Sequence, residues 1–367
     1  MLNPRVCITD GSYPHTLEAV RALGRAGSEV YVGERASVRR SACVATWSRY
    51  CAAAFHYPDP IAEPRAAVAA LAEFCSRHAI DVFLPVSLDM TELAVRHADQ
   101  LPTPALLPSS ESFDIACDKQ KTFAFAEPLG IPVPRTVPAA EYRQLDPPCV
   151  IKSRRRGAAI AHSREEADRI VAQLGPEIAD HLAQEFIPGQ NGFGYFGLFD
   201  RGVERTFFMH ERLMQYPIEG GPSVVCRSFF DKTLREHGRK LLEALRWNGV
   251  AMVEFKRSDR DGRFYLMEIN PKFWGSLGLA IHAGANFPVW VRDMVLGRKP
   301  DIRDYDRSAV YHCIIPNELK CFARYPGYRG RFVRNLLNPR MSSDVSLRDP
   351  LPAVMSAASA VLRIFRP

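Results

Sequence analysis

The stretch GVAMVEFKRSDRDGRFYLMEINPKFWGSL, from Gly249 to Leu277, carries two carboxylates, an amide and an ammonium group at a spacing that chemistry can use. Two alternating apolar runs flank DRDGR, a polar loop with a glycine, which predicts a β-hairpin. Pairing across that loop sets Ser258 opposite Phe264, and therefore Glu254 opposite Glu268. Directly opposed residues share a face, and the period of two adds Asn270 to it. Facing carboxylates repel one another unless a cation neutralises them. Two carboxylates and an amide carbonyl are hard oxygen donors of the kind that suits Mg2+, with Mn2+ as a second option. Magnesium leaves positions open for phosphate oxygens, so the implied partner is a nucleoside triphosphate. Lys272 follows Pro271 and adds a positive charge there. A solvent-facing hairpin edge would explain the alternation but not the clustering of Glu, Asn and Lys.

The elements that must position this hairpin differ along the chain. RVCIT, SEVYVGE and DVFLPVS read as strands, with PALLPS as a further short one. HTLEAVRALGRAG, EPRAAVAALAEFCSRHAI and MTELAVRHADQL read as helices between them. Gly27 stops the first helix and Pro64 opens the second. Alternating strands and helices predict a parallel sheet with both faces covered. Its first turn, DGSYPH, has one glycine where a dinucleotide fingerprint needs three, which argues against NAD and for a domain that helps hold substrate. From Ser109 the texture becomes α+β. Asp118 is a candidate N-cap, Gly130 a stop, PPCVIKS and AQEFIPG strands, and REEADRIVAQLGPEIADHL a helix.

At this point the residues resemble the ATP-grasp superfamily, of the carboxylate–amine ligase type and with similarity to the ATP-binding domain of carbamoyl-phosphate synthase and biotin carboxylase. The match rests on VEF…LMEINPKFWGSL and on other pieces in the expected order. It implies an α/β and α+β chain: a Rossmann-like domain over residues 1–108, an ATP-grasp domain over 109–300 and a C-terminal extension over 301–367. Within the ATP-grasp domain it implies a lid at about 118–185 and a catalytic part at about 186–300. Glu254, Glu268 and Asn270 are then the magnesium ligands. Lys119, at a helix N-terminus, and Lys152, at a strand end, are the phosphate lysines. Gln184, Glu185, Phe186 and Ile187 match the hinge strand that touches adenine, and Gln190 the ribose contact.

The pattern is departed from in two places. The glycine-rich phosphate loop is replaced by SRRRGAAIAHS, where Arg154, Arg155 and Arg156 offer guanidinium contacts or a solvated loop. Some ligases of the superfamily place an arginine two residues before the first metal carboxylate, and here that position is Met252. Arg212, in HERLMQYPIEGGPS, is the candidate to supply the missing charge, with Gly220 and Gly221 letting its loop pack closely. Lys272 and Arg212 are the candidate catalytic pair. His210 reads as a strand histidine, with a catalytic base as the alternative.

The implied reaction joins a small-molecule carboxylate to an amine through an acylphosphate, releasing ADP and phosphate. Loops at 153–163 and 215–223 are candidates to close over the site. A bicarbonate-using enzyme and an inactive nucleotide-binding protein are the alternatives. A net charge of +7 suits anionic ligands, but the arginines are dispersed rather than striped, against a nucleic-acid partner. Nine cysteines without a CxxC pair argue against a zinc knuckle and a disulfide framework, and read as packing residues. No apolar run approaches membrane length, and MLNPRVCITDG lacks the apolar core of a signal peptide, so a cytoplasmic enzyme is expected. The segment PLPAVMSAASAVLRIFRP reads as a terminal amphipathic helix docked on the body rather than on a membrane surface. The superfamily implies a homodimer.

Overall fold

The computed structural model describes residues 3–154, 157–189, 192–216, 221, 223–338 and 341–364. Its chain begins with strands β1 (Arg5–Ile8), β2 (Glu29–Arg35), β3 (Cys51–Tyr57) and β4 (Val82–Leu84), all parallel in the order β3-β2-β1-β4. The short apolar runs VCI, VYV and VFL are buried, as expected for strands covered on both faces. Helices α1 (Pro14–Arg25), α2 (Pro64–Arg77) and α3 (Leu88–Arg96) supply the cover. Pro14 and Pro64 each open a helix, and Gly27 follows α1 at φ +77°. PALLPS is not a strand, whereas CAAAFHY, whose alanines gave no clear pattern, is β3.

Asp10 organises the carboxyl end of this sheet. It is buried in the left-handed region at φ +63°. Its Oδ2 accepts from Thr9 Oγ1 at 2.8 Å and from the Ser87 amide at 2.9 Å, and its Oδ1 accepts from the Tyr57 hydroxyl at 3.3 Å. One carboxylate thus ties the turn after β1 to the turn after β4. Both turns open toward the same cavity.

Helices α4 (Ser110–Cys117) and α5 (Lys119–Ala126) lead into a four-stranded antiparallel sheet. It contains β5 (Thr136–Pro138), β6 (Cys149–Ser153), β7 (Ala158–Ala161) and β8 (His181–Glu185) in the order β5-β8-β6-β7, backed by α6 (Arg164–Leu174). Asp118 caps α5 by accepting from the Gln120 and Lys121 amides, and Gly130 follows at φ +72°. The expected helix after Ser163 ends at Leu174 and continues as a 3-10 turn, Gly175–Asp180.

The third sheet has seven strands: β9 (Gly192–Asp200), β10 (Val203–Gln215), β11 (Ser223–Ser228), β12 (Gly249–Arg257), β13 (Phe264–Asn270), β14 (Val310–His312) and β15 (Met341–Ser343). Their order is β13-β12-β9-β10-β11-β14-β15, antiparallel except for the last pair. The sheet therefore draws strands from both sides of residue 300. One face packs under α7 (Lys232–Ala244), in a core that includes Tyr195, Phe199, Leu241, Trp247 and Phe255. The opposite face meets α8 (Leu277–His282), α9 (Phe287–Val295) and the first sheet through Phe196, Phe208, Trp274 and Phe287.

The C-terminal part adds α10 (Leu319–Arg324), α11 (Arg329–Leu336) and α12 (Leu351–Ile364). The α12 backbone lies against residues 40–47 and 314–318, and so docks on the body. Buried Arg21 of α1 anchors the approach to it, donating to Glu18 at 2.7 Å, to Asp349 Oδ2 at 2.9 Å and to the Asp344 carbonyl at 2.6 Å. Phe365, in the segment expected to form this helix, lies outside the described residues. Among the described residues no helix is long and apolar enough to cross a membrane.

Candidate active site

The β12–β13 hairpin carries the site, through a register that its loop did not reveal. Arg257, not Ser258, pairs with Phe264, and Phe255 pairs with Leu266. A bulge at Met267 then restores the pairing Glu254↔Glu268, followed by Met252↔Asn270. Phe264, Leu266 and Ile269 are buried in the core under α7, while Met267, Glu268 and Asn270 line the cavity. Without the extra residue, the alternation established by Phe264 and Leu266 would turn Glu268 into that core.

That cavity has a volume of about 940 Å³. Lys119, Lys152, Gln184, Glu185, Phe186, Ile187, Arg212, Glu254, Glu268, Asn270 and Lys272 all line it. They come from α5, from the four-stranded sheet and its exit, and from the seven-stranded sheet. Gln190, Arg155, Arg156 and Gly220 lie outside the described residues. Arg154 does not line the cavity; it pairs with Asp118 at 3.7 Å.

Charge around the carboxylate pair is dense. Lys119 Nζ is 3.1 Å from Glu268, and Asn270 Nδ2 donates to Glu268 Oε1 at 2.8 Å. Arg212 lies on β10 rather than on a loop. It donates to Ser223 Oγ at 3.0 Å, Gln215 Oε1 at 3.1 Å and Glu254 Oε2 at 3.3 Å. Burial raises the Glu254 pKa, Arg212 opposes it and Glu268 adds to it. Burial would raise Glu268 as well, but the charge of Lys119, the bonds from Asn270 and Lys119, and Lys152 outweigh it and hold this carboxyl below its usual range.

Lys152 donates to Gln184 Oε1 at 2.6 Å, and Gln184 donates in turn to Thr136 Oγ1 at 2.9 Å. Burial pushes the Lys152 pKa down to about 7; Lys119 adds to this and both glutamates oppose it. An ammonium held this way regains charge when an anion arrives. At the hinge, Arg260 donates to Glu185 Oε1 at 2.9 Å and to the Phe186 carbonyl at 3.2 Å. Lys256 sits over the Phe186 ring at 4.6 Å. Gly189 allows this segment to pass the hairpin, because a Cβ there would stand 2.2 Å from the Arg257 carbonyl oxygen.

The donor set fits magnesium. Among the described residues no group of three or more His, Cys, Asp or Glu gathers to form a closed metal cage. Magnesium is ordinarily held by one or two carboxylates with substrate phosphates completing its shell. A facing glutamate pair among lysines suits that arrangement.

The parallel sheet contributes a wall whose residues the sequence did not single out: Tyr13 and His15 from the turn after β1, and Ser87, Leu88 and Asp89 from the turn after β4. The only signal was DGSYPH following a strand. His210, in contrast, is a structural residue, fully buried with Nδ1 2.9 Å from Ser276 Oγ. Met252 is packed in the core. Cys51 and Cys117 are partly exposed, and the other seven cysteines are buried.

A family model described as "ATP-grasp in the biosynthetic pathway with Ter operon" matches residues 225–313, which include the hairpin. No curated protein matches by sequence. Solved structures do match by shape. An L-amino acid ligase from Bacillus licheniformis superposes with a TM-score of 0.64 at 17% identity, over 80% of this chain and 75% of that one. The N5-carboxyaminoimidazole synthetase from Staphylococcus aureus gives 0.67 at 15% identity, over 89% and 86%. The biotin carboxylase domain of the Hydrogenobacter thermophilus 2-oxoglutarate carboxylase, a dimer bound to MgADP and bicarbonate, gives 0.66 at 12% identity, over 84% and 74%. With the hairpin and its cavity described and these likenesses in hand, the fold of this chain is identified as the ATP-grasp fold.

Proposed function

We propose that the protein is an ATP-dependent carboxylate–amine ligase that forms an amide bond through an acylphosphate and releases ADP and phosphate. The observation that carries this reading is the facing pair Glu254–Glu268, set in one cavity with Lys119, Lys152, Arg212 and Lys272. Glu254, Glu268 and Asn270 would hold magnesium, which when bound neutralises the triphosphate and favours in-line transfer. The division into a Rossmann-like domain, a lid and catalytic ATP-grasp domain, and a C-terminal extension belongs to the same reading. So do a cytoplasmic location and a homodimer.

The chain's own residues then have distinct tasks. Gln184 to Ile187 receive the adenine, partly through backbone groups, and Gln190 is proposed at the ribose. Lys119 and Lys152 bind phosphate oxygens. They are held against Glu268 and Gln184, so little reorganisation is needed when the anion enters. Arg212 and Lys272 draw the substrate carboxylate toward the γ-phosphorus and balance the charge of the transferring group. The same two cations then face the oxyanion that forms when the amine attacks the acyl carbon. Closure of the cavity keeps water from the acylphosphate.

The test is product analysis. Purified protein given ATP, magnesium and a panel of carboxylates and amines should release ADP, not AMP, only when an accepted pair is present. Nucleotide binding with no ADP release across a broad panel would make this a nucleotide-binding scaffold instead.

A further inference from the structure

An amine that attacks an acylphosphate must lose a proton. The C–N bond forms as the C–O bond to phosphate breaks, with that electron pair leaving on the phosphate. The attacking nitrogen passes through an ammonium centre whose proton needs an acceptor. Nearly every acceptor that lines the cavity already has work. Glu254 and Glu268 face each other among cations. Glu185 holds Arg260, and Asp89 pairs with Arg35 at 3.3 Å. Gln184 and Gln215 accept from Lys152 and Arg212. Ser87 Oγ caps α3 through the Met90 amide.

His15 is different. It lines the same cavity from the first turn of α1, on the wall that also holds Tyr13 and Asp89. Its ring is stacked on Tyr13, with centroids 5.1 Å apart and planes 12° from parallel. Neither ring nitrogen hydrogen-bonds to another described residue. Lys272, proposed above to steer the substrate carboxylate, is close enough for its charge to act on the imidazole. Burial and that charge push the His15 pKa down to about 3, and the positive end of α1 acts the same way. The imidazole is therefore neutral but, in the empty site, a weak base. Anions arriving beside Lys272 offset that cation and make protonation of the ring easier.

We propose that His15 is the proton acceptor for the attacking amine, and that the amine substrate enters along the first-domain wall formed by Tyr13, His15 and Asp89. This rests on the ligase reading. The proton passes from the new C–N ammonium to the His15 ring nitrogen and then to solvent or to the departing phosphate. The ring face of Tyr13 suits an amine that arrives as an ammonium ion, which gives one proton to solvent before it attacks and a second, through His15, afterwards.

Hydroxylamine separates the two steps, because it is largely unprotonated at neutral pH and traps acylphosphates without help from a base. Wild-type protein, His15→Gln and His15→Asn are assayed with ATP, magnesium and a panel of amino acids and simple carboxylic acids. Hydroxamate is measured with hydroxylamine, and amide with ordinary amines. The expected result is hydroxamate formation within about threefold of wild type in both variants, with amide formation reduced on the order of 10²–10⁴-fold. Retained hydroxamate formation also reports that the variants are folded and activate carboxylates. Equal losses in both assays, or no loss in either, would overturn the role of His15 alone. Wild-type protein that makes neither hydroxamate nor amide from any carboxylate would overturn the ligase reading, and this proposal with it.

Discussion

Glu254 and Glu268 stand opposite one another across two antiparallel strands, with Arg212 3.3 Å from the first and Lys119 3.1 Å from the second. Each carboxylate is thus held by its own cation on a face that a single bulge at Met267 turns into the cavity. A divalent ion can displace those cations toward phosphate without moving the strands.

Glu268→Gln keeps the shape and removes one charge. ADP release should fall on the order of 10²–10³-fold, the range seen when one preorganised electrostatic partner is lost. Circular dichroism and thermal melting should stay close to wild type, since the pair lies in an open cavity rather than in the core. Normal turnover in this variant would remove the residue from the site.

Arg212 makes three hydrogen bonds from one planar group, to Ser223, Gln215 and Glu254. A lysine cannot reproduce that fork. Arg212→Lys and Arg212→Ala should therefore lower kcat/KM for the carboxylate similarly, by on the order of 10²-fold, with much smaller changes in ATP affinity. Steady-state kinetics with each substrate varied in turn checks this. Full activity in the lysine variant would show that charge alone suffices.

Lys152, depressed to about 7, predicts a proton linkage. A phosphate beside it raises its pKa, so above about 7 and below the usual lysine range nucleotide binding takes up a proton. Affinity for ATP should decline as pH rises through that window. Titration calorimetry at about pH 8, in buffers of different ionisation enthalpy, should give an uptake approaching one proton, absent in Lys152→Gln. Uptake that persists in the variant would assign the linkage to another group.

Gly238 sits inside α7, where alanine is ordinarily favoured by about 1 kcal/mol. Here an added Cβ would stand 2.4 Å from the Tyr195 ring, which is buried and bonded through its hydroxyl to Glu204 at 2.5 Å. Gly238→Ala should destabilise by about 1–3 kcal/mol from overpacking, less the helix gain. A raised melting temperature would show that Tyr195 yields easily.

Much of this site was legible in local pattern, and the remainder was not for definable reasons. The alternation around Glu254, Glu268 and Asn270 reports a face, because side chains on a strand repeat every two residues. The DRDGR loop could not reveal the Met267 bulge, and counting from the turn placed Ser258 opposite Phe264 while still pairing the glutamates correctly. Arg212 looked like part of a loop because HERLMQ has no strong alternation, yet β10 extends through Gln215. Tyr13, His15, Ser87 and Asp89 meet only because β1 and β4 are neighbours and Asp10 joins their turns. That relationship spans more than seventy residues, and no local period encodes it. The two strands after residue 300 are three residues each, too short to leave a signature.

The most direct measurement is anomalous diffraction from crystals grown with ADP and Mn2+. A manganese peak is expected within bonding distance of Glu254 and Glu268, with adenine against Glu185 to Ile187 and phosphates reaching Lys119 and Lys152. Metal and nucleotide bound away from the hairpin, with both carboxylates still paired to Arg212 and Lys119, would contradict that placement.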